Sequence, residues 1–288
     1  MKKRKTTIYK ITAPAKINAG LRILSKRKDG YHNLETIFYP VKLSDVLTVK
    51  IRKISETTGN NVISVETDSK EKISGKNNIC YKTAEIFLSN FEIIGSYKID
   101  VYIKKNIPTG AGLGGGSSDA AALLKILLKH FRIKGSAAAI TRIALAAGSD
   151  VPFFLVGKAA YATGRGEKLT PLPQFRIKGK ILLVNPGIHI STPWAFKALA
   201  IKGVKRKLLN IVKKYSIDNS ALMINDFERV VFSKYPEIEK IKYDMISSGA
   251  EYALMSGSGS TVYGVFKNED IKAVAKYFKL KKYKVFVC

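Results

Sequence analysis

Residues 107–124 read IPTGAGLGGGSSDAAALL, with glycine at 110, 112, 114, 115 and 116 between a proline and a run of alanines and leucines. Bare backbone of this density serves one of two purposes. It can form a flexible turn, since glycine tolerates positive φ angles. It can also form an anion cradle, where side-chain-free amides approach a phosphate and the following helix adds the positive end of its dipole. The flanks choose between them. Upstream, Ile99, Val101 and Ile103 alternate with polar residues as in a half-buried strand. Downstream, Ser117, Ser118 and Asp119 are the small polar residues that open helices, and Ala120 to Leu128 is helical in composition. Strand, glycine loop and helix in this order predict a phosphate site.

The loop is not a P-loop: Gly110 and Gly115 have the G-x-x-x-x-G spacing, but Gly116 stands where lysine belongs. Gly110, Gly112 and Gly115 satisfy G-x-G-x-x-G, yet no acidic residue follows at the distance from which a dinucleotide site holds ribose. Protein-kinase triplets (His-Arg-Asp, Asp-Phe-Gly) are absent.

At 288 residues, with 46% hydrophobic residues, the chain predicts two domains or one elaborate one with a packed core. No apolar run is long enough for a membrane span, and no hydrophobic segment follows the basic start MKKRKTTIYKITAPAK, so neither a membrane nor a signal peptide is expected. Cys80 and Cys288 alone make no disulfide framework, which points to the cytoplasm. His32, His130 and His189 lie far apart, so no dedicated metal site is expected. The net charge of +28 raises nucleic-acid binding, but its 40 lysines against 10 arginines run along the whole chain without a block. Arginine is the residue that specific readout favours. A solvated basic surface is expected, with salt-sensitive adhesion to RNA and no specific nucleic-acid partner.

The pattern predicts strands over 7–53, turning at DGYHN and at ISETTGNNV, then a helix over 78–89. The glycine loop and its helix follow, with another helix over 136–147 and strands at 159–163 and 181–185. A helical pattern runs from about 190 to 246, broken at IKGVK, SIDNS and KYPE. The chain closes with strand 251–255, the loop SGSGS, strand 260–266, helix 269–279 and strand 283–287, an α+β second half beginning near residue 185.

Three further segments carry candidate chemistry. Lys16 in APAKINAGLRIL sits among small residues in a strand pattern, where a surface lysine would be unremarkable. Asp150 in AAGSDVPFFLVG precedes an apolar run that would partly bury it, although a turn or cap is the commoner fate of such an aspartate. Gly257 and Gly259 make a second small-residue loop, which alone reads as a hairpin. A phosphate cradle with one lysine and one aspartate supplies the parts of phosphoryl transfer, which is mostly positioning and charge stabilisation.

Pro108 to Ala120, PTGAGLGGGSSDA, resembles the signature loop of the GHMP small-molecule kinases. APAKIN, DGYHNLET, GLGGGSSDAAA, GSDVPFF and GSGSTVYG moreover occur in the order seen in members whose acceptor is a cytidine-diphosphate ester of a branched polyol. The resemblance covers nearly the whole chain and implies an α+β GHMP kinase fold. Its parts would be an N-terminal α/β domain of ribosomal-protein-like fold over 1–185 and a C-terminal ferredoxin-like α+β domain over 186–288. It implies ATP as co-substrate with Mg²⁺, a small-molecule acceptor phosphorylated on its 2-hydroxyl for isoprenoid synthesis, and a monomer or weak homodimer.

Carried over by position, Pro108, Gly110, Ala111, Gly112, Leu113, Gly114, Gly115, Gly116, Ser117 and Ser118 would hold the ATP phosphates, with Asn78, Ile79 and Lys105 near the adenosine. Asp150 matches the catalytic base and Lys16 the lysine beside it. Tyr31 and His32 match the pair that recognises cytosine, Phe196 the aromatic on the other side of that ring, and Asn18 a residue near the acceptor end. A base stacked on such rings gains roughly 1–3 kcal/mol.

Overall fold

The computed structural model describes residues 5–69, 74–199, 208, 224–267 and 270–288. They form two units that interleave along the chain. Strands β1 (Thr6–Lys26) and β2 (His32–Ser55) are long enough to run through both.

The first unit comprises Met1–Ala15, Ser44–Ile107 and Gly115–Gly157. Its sheet is built on period-two alternation. In the antiparallel pairing of β2 with β4 (Ser96–Lys104), Leu47 lies opposite Ile103, Val49 opposite Val101 and Ile51 opposite Ile99, all buried. β3 (Val62–Thr67) joins β4 in parallel and sets Val65 beside Val101. Each such side chain taken from water contributes about 1.5–3 kcal/mol. Helices α1 (Ile79–Asn90), α2 (Gly115–His130), α3 (Ala137–Ala147) and α4 (Val151–Val156) pack on one another beside it. Alanines at 120–122 on the buried side of α2 let neighbouring helices come close.

The second unit comprises Lys16–Leu43, Pro108–Gly114 and Lys158–Cys288. The first part of β2 pairs here with β5 (Ala160–Gly164), which pairs with β6 (Lys168–Pro171). A second, antiparallel sheet has the order β10-β7-β9-β8, from β7 (Lys180–Asn185), β8 (Tyr252–Met255), β9 (Val262–Phe266) and β10 (Lys284–Val287). Its helices are α5 (Thr192–Ala198), α6 (Glu228–Lys234), α7 (Pro236–Ser247) and α8 (Ile271–Leu280). Leu182, Val184, Val262 and Phe266 share a core with Ile238, Ile241, Met245 and Phe278.

Most elements start or end within a residue or two of the sequence expectation. α2 is an exception, since it starts at Gly115 and Ser117 and Ser118 lie inside its first turn rather than ahead of it. A Cβ on Gly115 would stand 3.0 Å from the Ile107 side chain, tight packing that glycine avoids at the helix start. β3, α4 and β6 are additions: segments of four to six residues are too short to carry a periodic signal. The breaks expected at IKGVK and SIDNS lie outside the described residues. The boundary expected at 185 falls at the end of β7, inside the second unit.

Candidate active site

In the first unit, the start of α2 collects Asn78, Ile79, Lys105 and the Gly148–Asp150 turn. Asn78 caps α1, its Oδ1 accepting the Cys80 N–H at 2.9 Å. Ile79 reaches from the first turn of α1 toward both Gly116 and Gly148, where a Cβ would stand 3.5 and 3.3 Å from its side chain. Gly115, Gly116, Ser117 and Ser118 form the first turn of α2, where backbone N–H groups have no intrahelical acceptor and no acidic side chain competes for them. The Ser118 hydroxyl is buried and has no hydrogen-bond partner among the described residues.

The Lys105 ammonium is held between two carboxylates, bonding Asp45 Oδ2 and, at 2.8 Å, Asp119 Oδ2. Asp45 also accepts the N–H groups of Asn106 and Ile107 at 2.6 and 2.8 Å, so this cluster ties the end of β4 to the second turn of α2. Two carboxylates facing one ammonium leave a surplus negative charge in a buried place. Burial first, and Asp45 beside it, push the Asp119 carboxyl up to about 7 although Lys105 pulls it down. The two carboxylates hold Lys105 above the usual lysine range even though burial opposes the charge.

Asp150 sits at the N-cap position of α4, inside the turn closed by the Val151 N–H on the Gly148 carbonyl, and its side chain makes no capping bond. It is half-buried, as the apolar run after it implied.

In the second unit, Lys16 is 4% exposed, which removes the reading as a surface lysine. Its Nζ donates to Asn18 Oδ1 at 2.7 Å and to the Gly112 carbonyl at 3.0 Å, and lies 5.2 Å from the centre of the Phe38 ring. Asn18 is engaged on every side. Its Nδ2 donates to Thr36 Oγ1 at 2.8 Å, its N–H to Ser256 Oγ at 3.3 Å, and its carbonyl accepts the Tyr263 hydroxyl at 3.1 Å. Ser256 Oγ donates to the Gly112 carbonyl at 2.9 Å. The loop SGSGS is therefore no plain hairpin: it forms the floor under Gly112, whose φ of +76° and overlap with the Ser256 carbonyl oxygen exclude any side chain. Pro108, Gly110, Ala111, Leu113 and Gly114 belong to the same unit, and Ala111 and Leu113 are buried.

The three residues expected at the base also lie in this unit. His32 and Phe196 stack on each other, with centroids 4.7 Å apart and planes at 15°. Phe196 further packs edge-on against Phe227 at 4.9 Å. Tyr31 is 53% exposed, with the Arg165 guanidinium 4.5 Å from its ring centre. A base cannot fit between rings 4.7 Å apart, so a base stacking on that face of Phe196 must move His32 aside. Burial, then Lys26, lowers the His32 pKa below the usual histidine range, keeping the ring neutral with one donor and one acceptor nitrogen.

Sequence reasoning missed Asp45, the role of Asp119, and Arg165. Asp45 breaks the alternation of KLSDVLTVK, and Asp119 precedes the buried alanines of α2, which were the available signals.

Residues 78–158 match the family model "GHMP kinases N terminal domain" and residues 200–284 "GHMP kinases C terminal", which sets the class as small-molecule kinases of that fold. A 4-diphosphocytidyl-2-C-methyl-D-erythritol kinase of Cytophaga hutchinsonii is 39% identical over 258 residues, covering 88% of this chain and 91% of the relative. One from Methylacidiphilum infernorum is 41% identical over 265 residues, covering 90% and 86%. A crystal structure of 4-(cytidine 5'-diphospho)-2C-methyl-D-erythritol kinase superposes with a TM-score of 0.76 at 28% identity, covering 97% of this chain and 98% of that one. The chain belongs to the 4-diphosphocytidyl-2-C-methyl-D-erythritol kinase family. Among the described residues no helix is long and apolar enough to cross a membrane, and no cluster of three His, Cys, Asp or Glu could hold a metal ion.

Proposed function

We propose that the protein transfers the γ-phosphoryl group of ATP to the 2-hydroxyl of 4-diphosphocytidyl-2-C-methyl-D-erythritol, releasing the 2-phosphate and ADP on the methylerythritol phosphate route to isoprenoid precursors. The observation that favours this acceptor over others of the class is the grouping of Tyr31, His32 and Phe196 in one unit, since homoserine or mevalonate offers no base to stack. The open N–H groups at the start of α2 and the backbone of 108–114 bind the ATP phosphates.

Asp150 takes the proton of the attacking hydroxyl, a role consistent with a carboxylate not used in capping. Lys16 stabilises negative charge on the transferring group, and its bonds to Asn18 and Gly112 keep the ammonium placed before substrate arrives. Asn18 holds Lys16 and stands at the acceptor end. Asn78, Ile79 and Lys105 line the adenosine side, Lys105 mainly by fixing β4 to α2 through its two carboxylates.

Mg²⁺ accompanies the ATP. The buried, unpartnered hydroxyl of Ser118 fits an oxygen ligand for it, and a phosphate-borne Mg²⁺ needs few ligands from protein. Bound there, the ion would neutralise charge on the β- and γ-phosphates. The functional division at 1–185 and 186–288 is supported by the two family matches, which fall on either side of it. The protein acts in the cytoplasm as a monomer or weak homodimer, without a specific nucleic-acid partner or a membrane partner.

The test is ADP release from ATP and Mg²⁺ in the presence of the cytidyl acceptor, homoserine or mevalonate. Stimulation by the cytidyl compound alone is expected; stimulation by another acceptor would keep the kinase and reject the base site.

A further inference from the structure

Tyr31 follows the tight turn between β1 and β2, and its backbone there is held firmly. Arg27 grips the Asp29 carboxylate with Nε and Nη2 at 2.8–3.1 Å, Asp29 Oδ1 accepts the Tyr31 N–H at 3.2 Å, and the Tyr31 carbonyl accepts the Arg27 N–H at 2.8 Å. Nothing in that network restrains the ring, which stands 53% exposed. The ring's restraint comes from another strand. β5 pairs antiparallel with β2 and its register ends with Gly164 opposite Leu34, so Arg165 emerges where β2 leads back toward His32 and Tyr31. Gly164 turns the chain there with φ +73°, and Glu167 closes the turn by accepting the Arg165 N–H, its carboxylate filling the space a Cβ on Gly164 would need. This turn presents the Arg165 guanidinium to the Tyr31 ring at 4.5 Å from its centre. Arg165 also lends its charge to the turn: after the Arg27 bond and the Tyr31 N–H, it helps hold the Asp29 carboxyl below the usual range against desolvation. A planar guanidinium stacks on an aromatic face as a compact ammonium does not.

We infer that Arg165 is a positioning residue for the acceptor, clamping one face of Tyr31 so that the other face is held ready for the cytosine. This rests on the acceptor site proposed above. An unclamped tyrosine at an exposed turn would lose ring freedom only on binding, and fixing it beforehand removes that cost from the binding step. The clamp acts on the base alone, so its effect is confined to the cytidyl substrate.

The full chain is assayed with Arg165→Met, Arg165→Gln and Arg165→Lys. The Met and Gln variants are expected to raise KM for the cytidyl acceptor about two- to fivefold, the size of an exposed cation–π contact, and to leave KM for ATP unmoved. Arg165→Lys should recover part of the loss because it keeps a cation over the ring. Calorimetric titration with CDP should weaken by the same factor, and titration with ADP should not. A lower KM for the acceptor in Arg165→Met would mean that the guanidinium occupies the face the base needs, and would overturn the clamp. Equal rises in both KM values would reduce Arg165 to a structural residue. If wild-type protein neither binds CDP nor responds to the cytidyl acceptor, the acceptor site itself is wrong and the clamp falls with it, a result distinct from either variant outcome.

Discussion

Asp119 shows how one buried side chain links the fold to pH. Its carboxyl titrates near 7 in the folded chain, raised by burial and by Asp45, whereas in the unfolded chain it titrates near the ordinary value of about 3.9. The folded state thus binds the proton more tightly, and stability falls as pH rises between those two values, with the full penalty remaining above the higher one. Asp119→Asn keeps an oxygen for Lys105 and removes the titration. Wild-type melting temperature should therefore drop more from pH 5 to pH 8 than that of the variant, and parallel profiles would remove Asp119 as the titrating group. Lys16 makes the opposite kind of residue-scale claim, about rate: Lys16→Ala should lower turnover on the order of 10²–10³-fold if its charge is used in the transition state, and a loss under about threefold would leave it a structural lysine. His32 adds a binding claim. Burial lowers its pKa and keeps the ring neutral at neutral pH, so KM for the cytidyl acceptor should stay flat from pH 8 to 7 and rise only in acidic buffer. A rise that already begins above pH 7 would mean the neutral ring is not what reads the base.

At the scale of elements, the two glycine loops are one structure within the second unit. Gly112 rests on the Ser256 carbonyl, and Ser256 returns a hydrogen bond to Gly112. Gly112→Ala combines a left-handed φ with a collision against backbone, which cannot rotate away, and should cost about 1–3 kcal/mol; urea unfolding would measure it, and an unchanged midpoint would show that the loop can shift. This pairing also marks how far the sequence could be read. The strand ahead of the first loop and the helix after it were legible because Ile99, Val101 and Ile103 alternate and Ala120 to Leu128 does not. The second loop was legible only as a turn, because what Gly257 and Ser256 meet is Gly112, in a segment some 144 residues away. Tyr31, His32 and Phe196 could be named through family resemblance, but the His32–Phe196 stack could not, since no periodicity encodes which ring meets which. For a similar reason the two carboxylate partners of Lys105 could not be read, since Asp45 on β2 and Asp119 on α2 meet it only once those elements pack with β4.

For the whole molecule the net charge of +28 has a kinetic meaning, because both proposed substrates are polyanions. The contacts described at the site involve few of the 40 lysines, so the others can affect the substrates only at a distance. Such a field speeds encounter without altering the chemical step, and salt screens it: the Debye length shrinks from about 30 Å at 0.01 M to about 8 Å at 0.15 M ionic strength. kcat/KM for ATP and for the cytidyl acceptor should therefore both fall over this range while kcat stays level, a pattern that a local clamp such as Arg165 does not produce. The same surface should retain RNA at low salt in a manner that depends on its length and not its sequence, and release it over the same range. RNA that remains bound at 0.15 M, or that discriminates between sequences, would mean that the basic surface is a recognition site in its own right. A kcat/KM that does not respond to salt would mean that the lysines are spread so evenly that their field does not gather at the substrates at all.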